Sequence, residues 1–453
     1  MRALSVHTGL TQWLSASARC ASAIFLLTIT LGGCRQSARE PVTLSSLLPS
    51  WSQPDEFPTE EALSEQFTQE TGIRVNNFPV PENTLDQLGL SRRLLQDGHA
   101  GPDVLGTDLI WSGALGGDLI DLRSYLAPEI SSLEPQLVPS YIEGGKVAAI
   151  PYQVELGVLE YRTDLLREYG YKYPPKTWDE LERMAERIQA GERRKGKKDF
   201  WGYVWQGAAA ETLTCNALEW QVADGGGRII ESDRTISVNN PATIRAWQRA
   251  RRWIGWISPP SVLAYRERDS MNVFDSGGAA FDRVWLGTTA GISSSGQTRP
   301  LYWRGSLPVG KTGYTSIPSG SAGSAAALGG FGLAVSSRSA RPQQAIELVR
   351  FLIHAKVQSS KIESANAKKP EVYNLPWVLD PRSNSEKPTQ HRSIVVNRPF
   401  VEAGRQYEQV SAAYISAVHS VLMGQRGAPE AAAELEKRLV KLTGLSTGPP
   451  RTD

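Results

Sequence analysis

Gly305-Ser306-Leu307-Pro308-Val309-Gly310-Lys311-Thr312 fits G-x-x-x-x-G-K-[ST], the spacing with which a backbone loop cradles phosphates. Such a loop works only when it opens a helix whose first amides face the phosphate. Here Gly313 follows at once, with Pro318 and Gly320 close behind, so nucleotide chemistry is not expected. Another catalytic spacing is missing: the chain has no H-E-x-x-H. His99, His354, His391 and His419 are scattered without the spacing of metal ligands, and no cofactor or metal is implied. The prominent chemistry is aromatic. Thirteen tryptophans exceed what packing usually demands, and such rings suit a site with one apolar face and a polar rim.

The N-terminus sets the compartment. Ala21 to Gly33 is an apolar run behind Arg19, shorter than the about 20 helical residues needed to cross a bilayer. It reads as the core of a signal peptide. The small residues of Leu31-Gly32-Gly33-Cys34 resemble a bacterial lipobox, which implies cleavage ahead of Cys34 and lipid on its sulfur. Each buried methylene of such a chain adds about 0.8 kcal/mol, so an acylated Cys34 ties the domain to a membrane surface outside the cytoplasm. An ordinary secreted chain with a chance cysteine is the plainer alternative. With Cys20 discarded and Cys34 lipidated, Cys215 stands alone, and no disulfide can form within the chain. A net charge of +2 gives no electrostatic footprint for nucleic acid. The basic run Glu192 to Lys198 reads as a solvated loop after a helix.

Elements that could position a site follow in order. Val42 to Leu48 reads as a buried strand, Thr59 to Thr71 as a helix with Leu63 and Phe67 on one face, and Ile73-Arg74-Val75 as the next strand. The pattern repeats through a helix ending near Asp97-Gly98 and a strand from Asp103 to Leu105, with Asp108 and Trp111 in the loop beyond. Repeated strand, helix, strand units build parallel sheets, and open α/β sheets place ligands in the loops at the carboxyl ends of their strands. Thr177-Trp178-Asp179-Glu180 is a capping box, and Leu181, Met184, Ala185 and Ile188 line the buried face of its helix. Asn240-Pro241 and Pro342 open further helices. Ala279 to Phe281 reads as an apolar turn, Ser319 to Ala327 as a small-residue connector, and the C-terminal part as helical. At 453 residues such a chain divides into two lobes with a cleft between them.

Several ordered motifs agree on one family. Pro151 to Leu166 (PYQVELGVLEYRTDLL), Pro174 to Leu181 (PPKTWDEL), Phe200 to Gly207 (FWGYVWQG), Leu213 to Trp220 (LTCNALEW), Gly278 to Trp285 (GAAFDRVW) and Ala327 to Phe331 (ALGGF) resemble family 1 extracellular solute-binding proteins of ABC importers, nearest the trehalose/maltose binders. The resemblance implies an α/β, periplasmic-binding-protein-like two-lobe clam of type II, with a parallel-rich sheet flanked by helices in each lobe. Residues 1–33 would be signal peptide and 34–41 the tether, followed by an N-terminal lobe of 42–152 with 318–382 and a C-terminal lobe of 153–317 with 383–453. It implies a monomer that captures a di- or oligosaccharide and delivers it to the permease's transmembrane subunits, meeting the membrane only through its lipid. Sugars need charged groups for their hydroxyl edges and aromatic plates for their C–H faces. The resemblance supplies Asp108 and Glu155 as carboxylates, Gln153 where relatives have tyrosine, Trp285 as the stacking ring, Gly330 with Phe331 where relatives have tryptophan, and Arg398 directed into the cleft. A glycoside hydrolase using Asp108 and Glu155, which would stand about 5 to 9.5 Å apart, is the alternative. A structural or adhesive lipoprotein is a third.

Overall fold

In the computed structural model the described residues are 42–48, 60–81, 84–96, 101–131, 138–287, 311–363 and 393–451. All belong to the unit Pro41–Asp453. The signal run, Cys34, the tether and Gly305 to Gly310 lie outside them.

Buried leucines start the sheet. Strand β1 (Thr43–Leu47) turns Leu44 and Leu47 into the core, and the helix Glu60–Thr71 packs Leu63 and Phe67 inward before β2 (Arg74–Asn77). The helix Thr84–Gln96 leads to β3 (Val104–Asp108), buried at all five positions. Strand β1 pairs in parallel with both β2 and β3. A separate small hairpin joins β4 (Ile142–Glu143) to β5 (Lys146–Val147). Then comes β6 (Ile150–Arg162), one unbroken strand of thirteen residues through Gln153-Val154-Glu155. Further along are β7 (Trp201–Val204), β8 (Ala279–Gly287), β9 (Thr312–Ser316), β10 (Ser324–Val335) and β11 (Ser393–Val396). The sheet runs β2-β1-β3-β10-β6-β8-β7, with β11 on β10 and β9 on β6.

The sheet is mixed. Its parallel pairs are β1 with β2, β1 with β3, β7 with β8 and β10 with β11, while β10 runs antiparallel to β3 and β6, and β6 antiparallel to β8 and β9. The expected wealth of parallel pairing therefore holds at the flanks and gives way where the two long strands cross the middle. Two readings change with this. Ala279 to Phe281 is not a turn but the start of β8, and the connector at Ser319 to Ala327 ends inside β10. Every residue of β10 is buried. Its small side chains let the helices Glu211–Ala223 and Pro342–Glu363 pack on it, a composition that resembles a linker when read without its neighbours. Thr312 opens a strand and no helix, as the rejection of phosphate binding requires.

Most of the tryptophans among the described residues are structural. Trp111, Trp178, Trp205, Trp220, Trp247 and Trp253 are buried. Trp253 gathers Trp178 at 5.1 Å, Tyr203 at 5.5 Å and Trp220 at 5.6 Å between ring centroids. Such rings fill a wide space between sheet and helices while keeping edge-to-face contacts. The expectation that the tryptophan excess belongs to a site is corrected accordingly. At the other capping signals, Thr177 Oγ1 accepts from the Glu180 amide at 3.2 Å, but Glu180 reaches past it to the Lys176 amide. Asn240 Oδ1 accepts from the Ala242 and Thr243 amides at the start of Pro241–Trp253. Glu192, expected in a solvated loop, is buried near the end of the helix Trp178–Arg194 and takes Lys195 and Lys197. Among the described residues no helix is long and apolar enough to cross a membrane.

One pair in the sheet makes stability depend on pH. Glu160 of β6 stands opposite Asp282 of β8, both buried. Burial, with the nearby Asp275 carboxylate, pushes the Glu160 carboxyl up to about 8, although Tyr314 and Thr312 donate to it. Burial and Glu160 likewise hold Asp282 well above the ordinary range. The folded chain thus keeps a proton on Glu160 at a pH where the unfolded chain, titrating near 4.5, has lost it. Stability is then fullest below the unfolded value and falls as pH rises toward about 8. Glu160→Gln, already neutral, is expected to flatten this loss. Melting curves from about pH 5 to pH 8 check it, and parallel slopes for variant and parent would contradict it.

Candidate functional site

Three strands bring the sequence candidates into one row. In the ladder of β10 with β3, Phe331 lies opposite Asp108; in that of β10 with β6, it lies opposite Gln153. Two residues along β6, Glu155 lies opposite Gly329 on one side and Gly287 on the other, and Trp285 lies opposite Gly157. Between Gln153 and Pro151 the strand β6 carries one extra residue, Tyr152, so the register shifts beside the row. Such bulges re-aim side chains next to sites.

The glycine pair has a steric cause. A Cβ on Gly329 would come within 2.9 Å of Trp285 Cζ3, so only glycine lets the indole lie against the strand. Gly330 has φ +125°, a backbone conformation that side chains strain against. Under the indole sits the Arg283 guanidinium, 3.9 Å from the Trp285 ring centroid. Arg283 in turn donates to Glu219 at 2.6 and 3.2 Å, and Glu219 also accepts from the Ala327 amide at 3.0 Å. A buried two-pronged ion pair and a cation–π contact therefore fix the ring from behind. Trp285 is partly exposed, unlike the core tryptophans.

Asp108 ends β3 and caps the short turn after it, its Oδ1 accepting from the Ile110 amide at 3.2 Å. The same oxygen accepts from Arg398 Nη2 at 3.1 Å. Arg398, between β11 and the helix Phe400–Ala403, is only 3 % exposed, so it is no surface arginine. Its Nη1 donates to Glu211 Oε1 at 3.2 Å. Burial pushes the carboxyls of both Asp108 and Glu211 up, against the pull of Arg398. Gln153 is buried and donates through Nε2 to Glu155 Oε1.

These groups surround a cavity of about 430 Å³, a size typical of small-molecule sites, which run to about 300–1,000 Å³. Asp108, Glu155, Trp285, Gly330, Phe331 and Arg398 all line it. Gln153 does not, and reaches it only through Glu155. Sequence reasoning missed Glu211 and Phe78, which also line the cavity. Glu211 directly precedes Thr212 and the Leu213 to Trp220 motif, as the first residue of its helix. Phe78, 39 % exposed, follows β2 ahead of Pro79-Val80-Pro81. Its place after a parallel strand was the available signal. Arg266, Glu267 and Arg268 also line the cavity, with Glu267 accepting from the Thr212 hydroxyl. Carboxylates, a guanidinium and an indole facing one space can grip a ligand that offers hydroxyl edges and an apolar face.

Comparison with known proteins agrees with this architecture. The family model described as bacterial extracellular solute-binding protein matches residues 50–359. A "Probable ABC transporter-binding protein" of Deinococcus radiodurans is 38% identical over 385 residues, which cover 84% of this chain and 89% of that one. Maltose-bound MalE3 of T. maritima superposes with a TM-score of 0.74 at 27% identity, covering 88% of this chain and 100% of its own. The GacH receptor of Streptomyces glaucescens, solved unliganded and with acarbose, shares the fold with a TM-score of 0.68 at 22% identity, over 89% of this chain and 98% of its own. The mixed sheet with its flanking helices is the periplasmic-binding-protein-like fold of such sugar-binding proteins. The chain belongs to the bacterial extracellular solute-binding protein family.

Proposed function

We propose that this protein is a lipid-anchored, extracytoplasmic component of an ABC importer that captures a di- or oligosaccharide and delivers it to the permease's transmembrane subunits. The observation that carries the reading is the pairing of chemistries in one cavity: the Trp285 ring, backed by Arg283, faces the same space as the Asp108 and Glu155 carboxylates. A saccharide presents C–H groups to the ring and hydroxyls to the carboxylates. The maltose bound by the T. maritima relative supports the substrate class. In this reading residues 42–152 with 318–382 form one lobe and 153–317 with 383–453 the other, and β6 runs from one into the other. Sugar binds one lobe first and closure encloses it, which is the state a permease can read. A micromolar Kd needs about 8 kcal/mol, within reach of a few charge-assisted hydrogen bonds and a stacked ring.

Calorimetry against maltose, trehalose and glucose tests the reading. A disaccharide is expected to bind, and Trp285→Ala to weaken it by about 1.5 to 4 kcal/mol, one to three orders of magnitude, with an unchanged melting temperature. Normal binding by the folded variant would move the site elsewhere. Release of glucose from the disaccharides in the same cells would make the protein a hydrolase. For the anchor, cells fed labelled palmitate are expected to label the parent protein and not Cys34→Ser; equal labelling would contradict lipid at Cys34.

A further inference from the structure

Glu211 is buried beside the cavity, and its contacts come from distant parts of the chain. Its Oε1 accepts from Arg398 Nη1 at 3.2 Å and from the Tyr407 hydroxyl. Its Oε2 accepts from Ser411 Oγ at 2.6 Å, and Thr214 Oγ1 lies 2.9 Å beyond. A carboxylate offers about four lone-pair sites, and three here are filled by protein donors. That leaves little of Glu211 for a ligand, although it lines the cavity. Asp108 differs, because Arg398 and the Ile110 amide both fall on Oδ1. Its second oxygen keeps its acceptor capacity.

We propose that Glu211 is a positioning residue: it does not grip the ligand but divides the Arg398 guanidinium with Asp108, and so sets how strongly Asp108 can accept from a bound hydroxyl. A carboxylate buried at the first turn of a helix needs partners to carry its charge. Here the helix Tyr407–Leu422 supplies Tyr407 and Ser411, which hold the carboxylate against Arg398, while the segment after β11 supplies Arg398 itself. The groups facing Glu211 are thus Asp108 from the end of β3, Arg398, Tyr407 and Ser411, with Cys215 one turn along its own helix. Two like charges share one cation, so a change at Glu211 must be felt at Asp108. The consequence for affinity rests on the saccharide reading; the division of Arg398 does not.

The test is ligand-free at its core. Carboxyl NMR of the full-length protein without sugar follows the titration of Asp108. In Glu211→Gln the guanidinium has one carboxylate left, and the Asp108 midpoint is expected to move down. Tyr407→Phe takes a donor from Glu211, leaves more of its charge for Arg398, and is expected to move the Asp108 midpoint up. Opposite signs from two variants are not what loosened packing would give, and Tyr407→Phe serves if Glu211→Gln does not fold. Maltose calorimetry is the second arm. Where the parent binds, Glu211→Gln is expected to bind about 30-fold more weakly, the low end for breaking a buried hydrogen-bonded charge pair. An Asp108 midpoint that stays in place in folded variants, or an unchanged maltose affinity, overturns the proposal. Shifted midpoints with no heat from maltose in the parent would keep Glu211 as the positioning residue and fail the saccharide reading.

Discussion

The register of β10 between β3 and β6 is the constraint on which the site depends. It sets Phe331 between Asp108 and Gln153, and Gly329 against Glu155. A slip by one residue would turn each of these side chains to the other face of the sheet. The register is held by burial along all twelve residues of β10 and by the fit of Gly329 under the Trp285 ring. The run of alanine and glycine in β10 thus keeps helices close on the outside and an indole close at the site.

Two buried arginines are used in different ways. Arg283 meets Glu219 through both of its prongs and lies under Trp285, a closed pair that stiffens an apolar plate. Arg398 is divided between Asp108 and Glu211 and belongs to neither. Burying these charges is costly, and replacing a buried ion pair with apolar groups is often neutral or stabilising by about 1–4 kcal/mol. Arg398 lines the cavity and Arg283 backs the Trp285 ring that does, a placement better explained by recognition than by stability.

How far this was legible from the residues varied with the kind of signal. Helices were read well where a cap and an apolar stripe agreed, as at Thr177 with Leu181, Ala185 and Ile188. Asp108, Glu155, Trp285, Phe331 and Arg398 were named from motif resemblance, and the fold gathers them around one cavity. Gln153 was placed in the cleft but bonds to Glu155 and lines no part of the cavity. Strand β10 escaped because its Ala, Gly and Ser carry no alternation, and what makes it a strand is pairing with partners far along the chain. Glu211 escaped for a similar reason: its partners lie 187 to 200 residues away, a distance no local pattern reports. The tryptophans misled because a large ring serves a wide core as well as a site, and sequence does not separate the two.

The central claim is that this cavity holds a saccharide between Trp285 and the carboxylates of Asp108 and Glu155. A crystal structure of the protein grown with maltose tests it most directly. The account predicts a pyranose ring lying parallel to the Trp285 indole, with hydroxyls on Asp108 and Glu155. Sugar bound elsewhere, or a cavity empty of sugar at saturating maltose and trehalose, would contradict it.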